Sequence, residues 1–218
     1  MDADIWKHLI CSKAYGNHSK NLAEAIACLA CRLCTEEIHF DSLREFTACH
    51  LIPLDKGSDI SGNPGVRPIG IGEVLRRIVG KSVMAVLKTD VQTACGCVQT
   101  CTGIKSGIEA SIQSASRIWE NEETECLLQV DADNAFNRFN RKVALHNIQQ
   151  ICPPIKTFLH NHYQKAARLT VSDGINHDSL LSEEGATQGD PAAMGFYSLG
   201  IAPLIQLLVE GMQTDMVC

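Results

Sequence analysis

Residues 50–71 constrain the fold more than any other stretch. "HLIPL" (50–54) and "VRPIGI" (66–71) are short apolar runs, and the eleven residues between them, "DKGSDISGNPG", hold three glycines, a proline and two serines. Two such runs flanking a turn-rich loop predict a β-hairpin with a long tip. An antiparallel sheet is therefore expected, and the rest of the chain must supply what packs on it.

Most of the remainder has the helical period. Residues 20–35 and 41–49 predict helices, as do 73–88 and 105–120. Pro153-Pro154 separates a helix over 141–151 from one over 154–166. "ARLTV" and "HDSLLS" read as strands around the turn at 173–176. The segment 190–211 opens with Asp190 and Pro191, an N-cap followed by a proline at the first helical position. It predicts an apolar, mostly buried helix with a kink near Pro203. No repeat or linker divides the chain. The fold class is α+β: an N-terminal helical segment over 1–49, then a main unit over 50–218 with an antiparallel sheet flanked by helices.

Several patterns are set aside. Cys28, Cys31 and Cys34 recur in steps of three beside Ala and Leu, which suits small core hydrophobes better than zinc ligands, since no second pair completes a site. His160-Asn161-His162 reads as a wet helix surface. "GIGEVL" (70–75) lacks the third glycine of a dinucleotide loop, and there is no phosphate-binding lysine loop or nucleophile elbow. The net charge of −6 argues against a chain coated in positive charge. Eleven cysteines without a signal-peptide pattern predict free thiols in a reducing, intracellular compartment, cytoplasmic or nuclear. No 18-residue apolar run occurs, so neither a span nor a membrane partner is expected.

The chemistry gathers in three segments. "LLQVDADNAFNRFN" (127–140) is an apolar run that reaches two acids, Asp131 and Asp133. The run predicts a strand over 125–131, with Asp131 at its tip as an oxygen ligand suited to Mg²⁺. A solvated turn, or an ion pair with Arg138 or Arg141, would satisfy the same acids. "EEGATQGDP" (183–191) places Gln188 between glycines that let backbone approach something flat or phosphorylated. Finally, 65–88 carries Arg67, Arg76, Arg77, Lys81 and Lys88 against Glu73 alone, a local cationic wall suited to polyphosphate or nucleic-acid backbone.

These segments, in this order, resemble the reverse transcriptases, especially retrotransposon and group II intron-like members. "RPIGIGEVLRRIVGK" (67–81) is similar to the fingers motif that begins Arg-Pro-Ile. "VDADNAFN" (130–137) is similar to palm motif A, an Asp followed five residues later by an aromatic. "GATQGDPAAMGFYSLGIAPLI" (185–205) is similar to motif B, and "CTGIKSGIEASI" (101–112) resembles more weakly the stretch before motif A. The resemblance covers roughly residues 50–210.

It implies the fingers and part of the palm of a right-hand polymerase. Asp131 would be the metal-binding catalytic carboxylate of a two-metal phosphoryl transfer using Mg²⁺, or Mn²⁺ in its place, with the ions about 3.5–4 Å apart. Phe136 would be a steric gate beneath the sugar, favouring deoxynucleotides. Lys56 and Arg67 would clamp the triphosphate, and Gln188 with Gly189 would line the incoming nucleotide and template. The partners implied are an RNA template, a DNA primer and deoxynucleoside triphosphates. In the family a hairpin with paired acids, motif C, follows motif B, and a thumb follows that. No Asp-Asp pair occurs in the 218 residues. The chain is therefore expected to be an incomplete palm, truncated before motif C, without a thumb and inactive alone. A co-opted, catalytically dead nucleic-acid-binding protein is the alternative. An RNA-dependent RNA polymerase fits less well, because it must accept the 2′-hydroxyl that Phe136 would exclude.

Overall fold

The structure is a computed structural model that describes residues 3–11, 13–58, 62 and 64–211. Among these the fold is a mixed α+β arrangement. Three helices come first: α1 (Ala3–Cys11), α2 (Asn17–Thr35) and α3 (Phe40–Thr47). The hairpin follows as β1 (Cys49–Ser58) and β2 (Pro64–Gly72), then α4 (Val74–Val86), α5 (Lys88–Cys95) and α6 (Gly107–Trp119). A short α7 (Ala135–Arg138) precedes α8 (Arg141–Ile151) and α9 (Pro153–Tyr163). The strands β3 (Ala167–Ser172) and β4 (His177–Ser182) lead to the long α10 (Ala193–Gly211).

The expected hairpin is present, with Cys49 opposite Gly72 and Ser58 opposite Pro64. Part of its turn-rich tip, residues 59–61 and 63, lies outside the described residues. The register slips between Asp55 and Gly57 and leaves Lys56 as the extra residue of a bulge, a device that re-aims a side chain. The sheet runs β2-β1-β3-β4. It is mixed, not antiparallel as expected: β1 and β3 are parallel, paired only at Cys49–Leu169 and His50–Thr170. A parallel neighbour requires a long crossover, and the helices between β2 and β3 supply it.

The expected strand over 125–131 is absent; the segment is irregular and joins no sheet. Its apolar residues face solvent, with Leu128 76% and Val130 81% exposed. A strand is made by a partner for its backbone groups, and none lies beside this segment among the described residues.

Helices enclose one core in which Leu33, Val79, Ile148, Ile155, Phe158, Leu159, Phe196 and Leu199 are fully buried. Residues of the N-terminal helices, Ile26, Leu33 and Leu43, share it with α4, α8, α9 and α10. On α2 the buried stripe falls at Ile26 and Leu33, so Cys28 and Cys31 point outward and only Cys34 is half-buried. The thiol core expected there is not formed, because steps of three drift around a helix of 3.6 residues per turn. The buried residues of helix α10 all fall within Ala193–Ala202, where Met194 is nonetheless exposed, and Leu204, Leu207 and Leu208 are exposed beyond it, so the helix is less buried than expected. Against the expectation of no span, α10 is long and apolar enough to cross a membrane by length and composition alone. Pro203 lies within it.

Asn161 and His162, expected on a wet surface, are buried. The Asn161 carboxamide accepts from the Ile38 amide at 2.9 Å and donates to the carbonyls of Leu33 and Glu36 at 2.9 and 2.8 Å. It thereby satisfies carbonyls that the end of α2 leaves open and ties α2 to α9. The His162 ring lies against Phe158 and Phe46, with Nδ1 2.8 Å from the Phe158 carbonyl. Burial holds His162 neutral and pushes its pKa down to about 4.

Candidate functional site

Three chain segments meet beside the hairpin. The Gly70 amide donates to the Gln188 carbonyl at 2.8 Å, joining β2 to the loop before α10. The Gly185 and Ala186 amides donate to the carbonyls of Phe139 and Phe136 at 2.9 and 2.5 Å, joining that loop to the turn after Asp133. Two glycines make this possible. Gly185 has φ +68°, and a Cβ there would collide with the backbone of Phe136 and Asn137. Gly189 has φ +102°, and a Cβ would lie 2.7 Å from the Gly70 oxygen.

The junction borders an open cleft of about 650 Å³. Lys56 and Arg67 reach it from β1 and β2, Asp131 and Phe136 from the 131–136 turn, and Gln188 and Gly189 from the loop. All six residues singled out in the sequence therefore line one cavity. Asn134 turns the chain between acid and ring by taking the left-handed region at φ 49°, which Asn tolerates.

The acids of the cleft differ in their commitments. Asp133 accepts from Arg138 at 2.6 Å in a pair that is 72% and 69% exposed. Asp190 is ion-paired with Arg76, and both side chains are 3% exposed. Burial is the largest single influence on Asp190 and would raise its pKa, but the Arg76 charge and smaller contributions, including the Ala192 amide hydrogen bond, together outweigh it and hold the carboxyl below its usual range. Asp131 is exposed and has no side-chain partner among the described residues. Mg²⁺ takes six oxygen ligands, and a two-ion centre needs more than one carboxylate. Among the described residues no three His, Cys, Asp or Glu converge on a metal. This donor set does not fit a two-ion centre.

The cationic wall is thinner than expected. Arg76 is buried and spent on Asp190, the Thr47 carbonyl (2.6 Å) and Cys49 Sγ (3.1 Å). Arg141 pairs with neither acid of the 131–133 turn. It is buried, and donates to the carbonyls of Gly185 and Ser182, both at 2.7 Å, and to the Ser182 hydroxyl at 2.7 Å. It fixes the loop's entry just as Arg76 fixes its exit. Arg67, Lys81 and Lys88 remain exposed and Arg77 half-buried.

Sequence reasoning missed three supports. Asp190 was read only as a cap; its carboxylate does accept from the Ala192 amide at 2.8 Å, but its charge partner lies 114 residues away. Arg141 gave no signal beyond its charge. Tyr197 stacks on Phe136, centroids 4.9 Å apart and planes 21° from parallel. Its signal was helical spacing, since Ala193 and Met194, four and three residues earlier, line the cleft. Comparisons with protein-family models and with curated proteins returned no match to this chain.

Proposed function

We propose that the cleft is the nucleotide-binding part of a template-directed nucleotidyl-transfer site of the RNA-directed DNA polymerase class, as found in retroelements. In this reading the β1–β2 hairpin belongs to the fingers and the remainder to an incomplete palm without a thumb. The observation that carries it is convergence: Lys56, Arg67, Asp131, Phe136, Gln188 and Gly189, from three distant segments, line one cavity. Lys56 and Arg67 present two cations on one wall, the arrangement a triphosphate requires. Gln188 offers a donor and an acceptor to a base or sugar. Phe136 sets a half-buried flat ring where a ribose would rest. Asp131 would supply one oxygen ligand to Mg²⁺, and the further carboxylates of a two-ion centre do not converge on it among the described residues. The partners follow as an RNA template, a DNA primer and a deoxynucleoside triphosphate.

A second reading is a nucleic-acid-binding protein without catalysis. It is favoured by the commitment of Asp133 and Asp190 to arginines, which leaves Asp131 as the one unpaired acid lining the cleft among the described residues. Titration of the full chain with dATP, followed by ligand-observed NMR, tests the first reading. Saturable binding is expected, weakened on the order of tenfold or more by Lys56→Ala combined with Arg67→Ala, since each charge-assisted bond contributes about 1.5–3 kcal/mol. Equal dATP affinity in parent and double variant would refute it. Binding of an RNA–DNA duplex without any dATP binding would favour the second reading.

A further inference from the structure

Phe136 does not stand alone at the cleft. Its ring is stacked on Tyr197, and Phe139 meets Tyr197 edge-on at 5.4 Å. Phe139 also meets Phe196 edge-on at 5.0 Å, and Phe196 stacks on Tyr163 at 4.3 Å with planes 11° apart. The Arg141 guanidinium lies 5.5 Å from the centre of the Tyr163 ring. Five rings thus run without a break from the cleft wall into the core, from half-buried Phe136 to Phe196 and Tyr163, which are at most 2% exposed. A ring that reads a sugar by exclusion works only if it cannot yield. A 2′-hydroxyl pressing on a loosely held phenyl group would rotate it aside at little cost, whereas one pressing on a stacked ring must disturb every ring behind it.

We propose that Tyr197 is a specificity-determining residue of the cleft: it braces Phe136 from behind, and the flatness of its ring sets how strongly a ribonucleotide is disfavoured against a deoxynucleotide. This rests on the nucleotide-binding reading given above. Tyr197 is a positioning residue that acts through Phe136. The ring and not the hydroxyl carries the role, because the contact is face to face and the ring's neighbours are aromatic.

The test is the ratio of ATP to dATP dissociation constants on the full chain, with melting temperature measured alongside. The parent should prefer dATP. Tyr197→Leu, which fills the space without a flat ring, should reduce the preference on the order of two- to tenfold while dATP affinity changes less, as expected from the energy of one aromatic pair. Tyr197→Phe should retain it. Tyr197→Ala should behave as Tyr197→Leu does, and if it fails to fold the leucine variant decides. A preference lost in Phe136→Ala but intact in Tyr197→Leu would overturn the proposal and leave the cleft reading standing. A preference lost in Tyr197→Phe would also overturn it, by assigning the role to the hydroxyl. A parent without any dATP preference, unchanged by Phe136→Ala, would overturn the assignment of Phe136 and this proposal with it.

Discussion

Lowering the pH should destabilise this fold well before its carboxylates are protonated, and His162 is the cause. The ring is 2% exposed, lies 4.2 Å from Phe158 and 5.6 Å from Phe46, and has Nε2 without a hydrogen-bond partner. Burial, reinforced by the nearby Arg76 charge, lowers its pKa to about 4. In the unfolded chain it titrates near 6.5, so between those values the unfolded state binds the extra proton. The stability this group contributes is thus complete above about 6.5 and is lost as pH falls towards 4. At about 1.4 kcal/mol per unit, acidification from pH 7.5 to 4.5 should remove roughly 2–3 kcal/mol. Urea unfolding at the two pH values measures it. His162→Leu keeps the volume and removes the titration, so its stability should change less across this range by about that amount. The variant will itself be weaker at pH 7.5 through loss of the Nδ1 contact with the Phe158 carbonyl. Equal pH dependence in parent and variant would refute the argument.

Arg76→Met should cost roughly 3–5 kcal/mol, because it leaves the Asp190 carboxylate buried and unpaired, and Arg76→Met with Asp190→Leu should cost much less than the sum of the single changes in a double-mutant cycle. Gly185→Ala should destabilise by more than about 1 kcal/mol, since its positive φ and its contact with the Phe136 backbone both oppose a Cβ, and dATP affinity should fall with it.

The parts of the fold legible in the sequence are those with local causes. The hairpin was set by turn chemistry between apolar runs. Helix α8 runs from Arg141 to Ile151 as its periodicity predicts, and Asn140 caps it by accepting from the Val143 amide at 3.0 Å. The buried polar residues were illegible for the opposite reason. Asn161, Arg76 and Arg141 look like surface side chains until the backbone groups they satisfy are brought to them across many residues. Asn161 binds the end of α2 from more than 120 positions away. Nothing near "HNH" in the chain announces that. The cleft was legible only through ordered short motifs, and those named the residues that face it. The ring behind Phe136 and the two arginines that hold the loop follow from packing, which motifs do not record.

The segment 125–131 shows where the limit lies. Leu127, Leu128 and Val130 read as a strand, yet they stand exposed and unpaired. Strand propensity is a statement about fit to a neighbouring surface, not about an isolated backbone. Here the sheet runs β2-β1-β3-β4 with β2 and β4 at its edges, and the 125–131 run pairs with neither. Asp131 is consequently held by the turn at Asn134 and the docking of Phe136 against Gly185 and Tyr197, not by a sheet. The acid and the ring share one anchorage. Loosening that anchorage, through Gly185 or Tyr197, should move both together, whereas changing Asp133, already paired with Arg138 in solvent, should move neither.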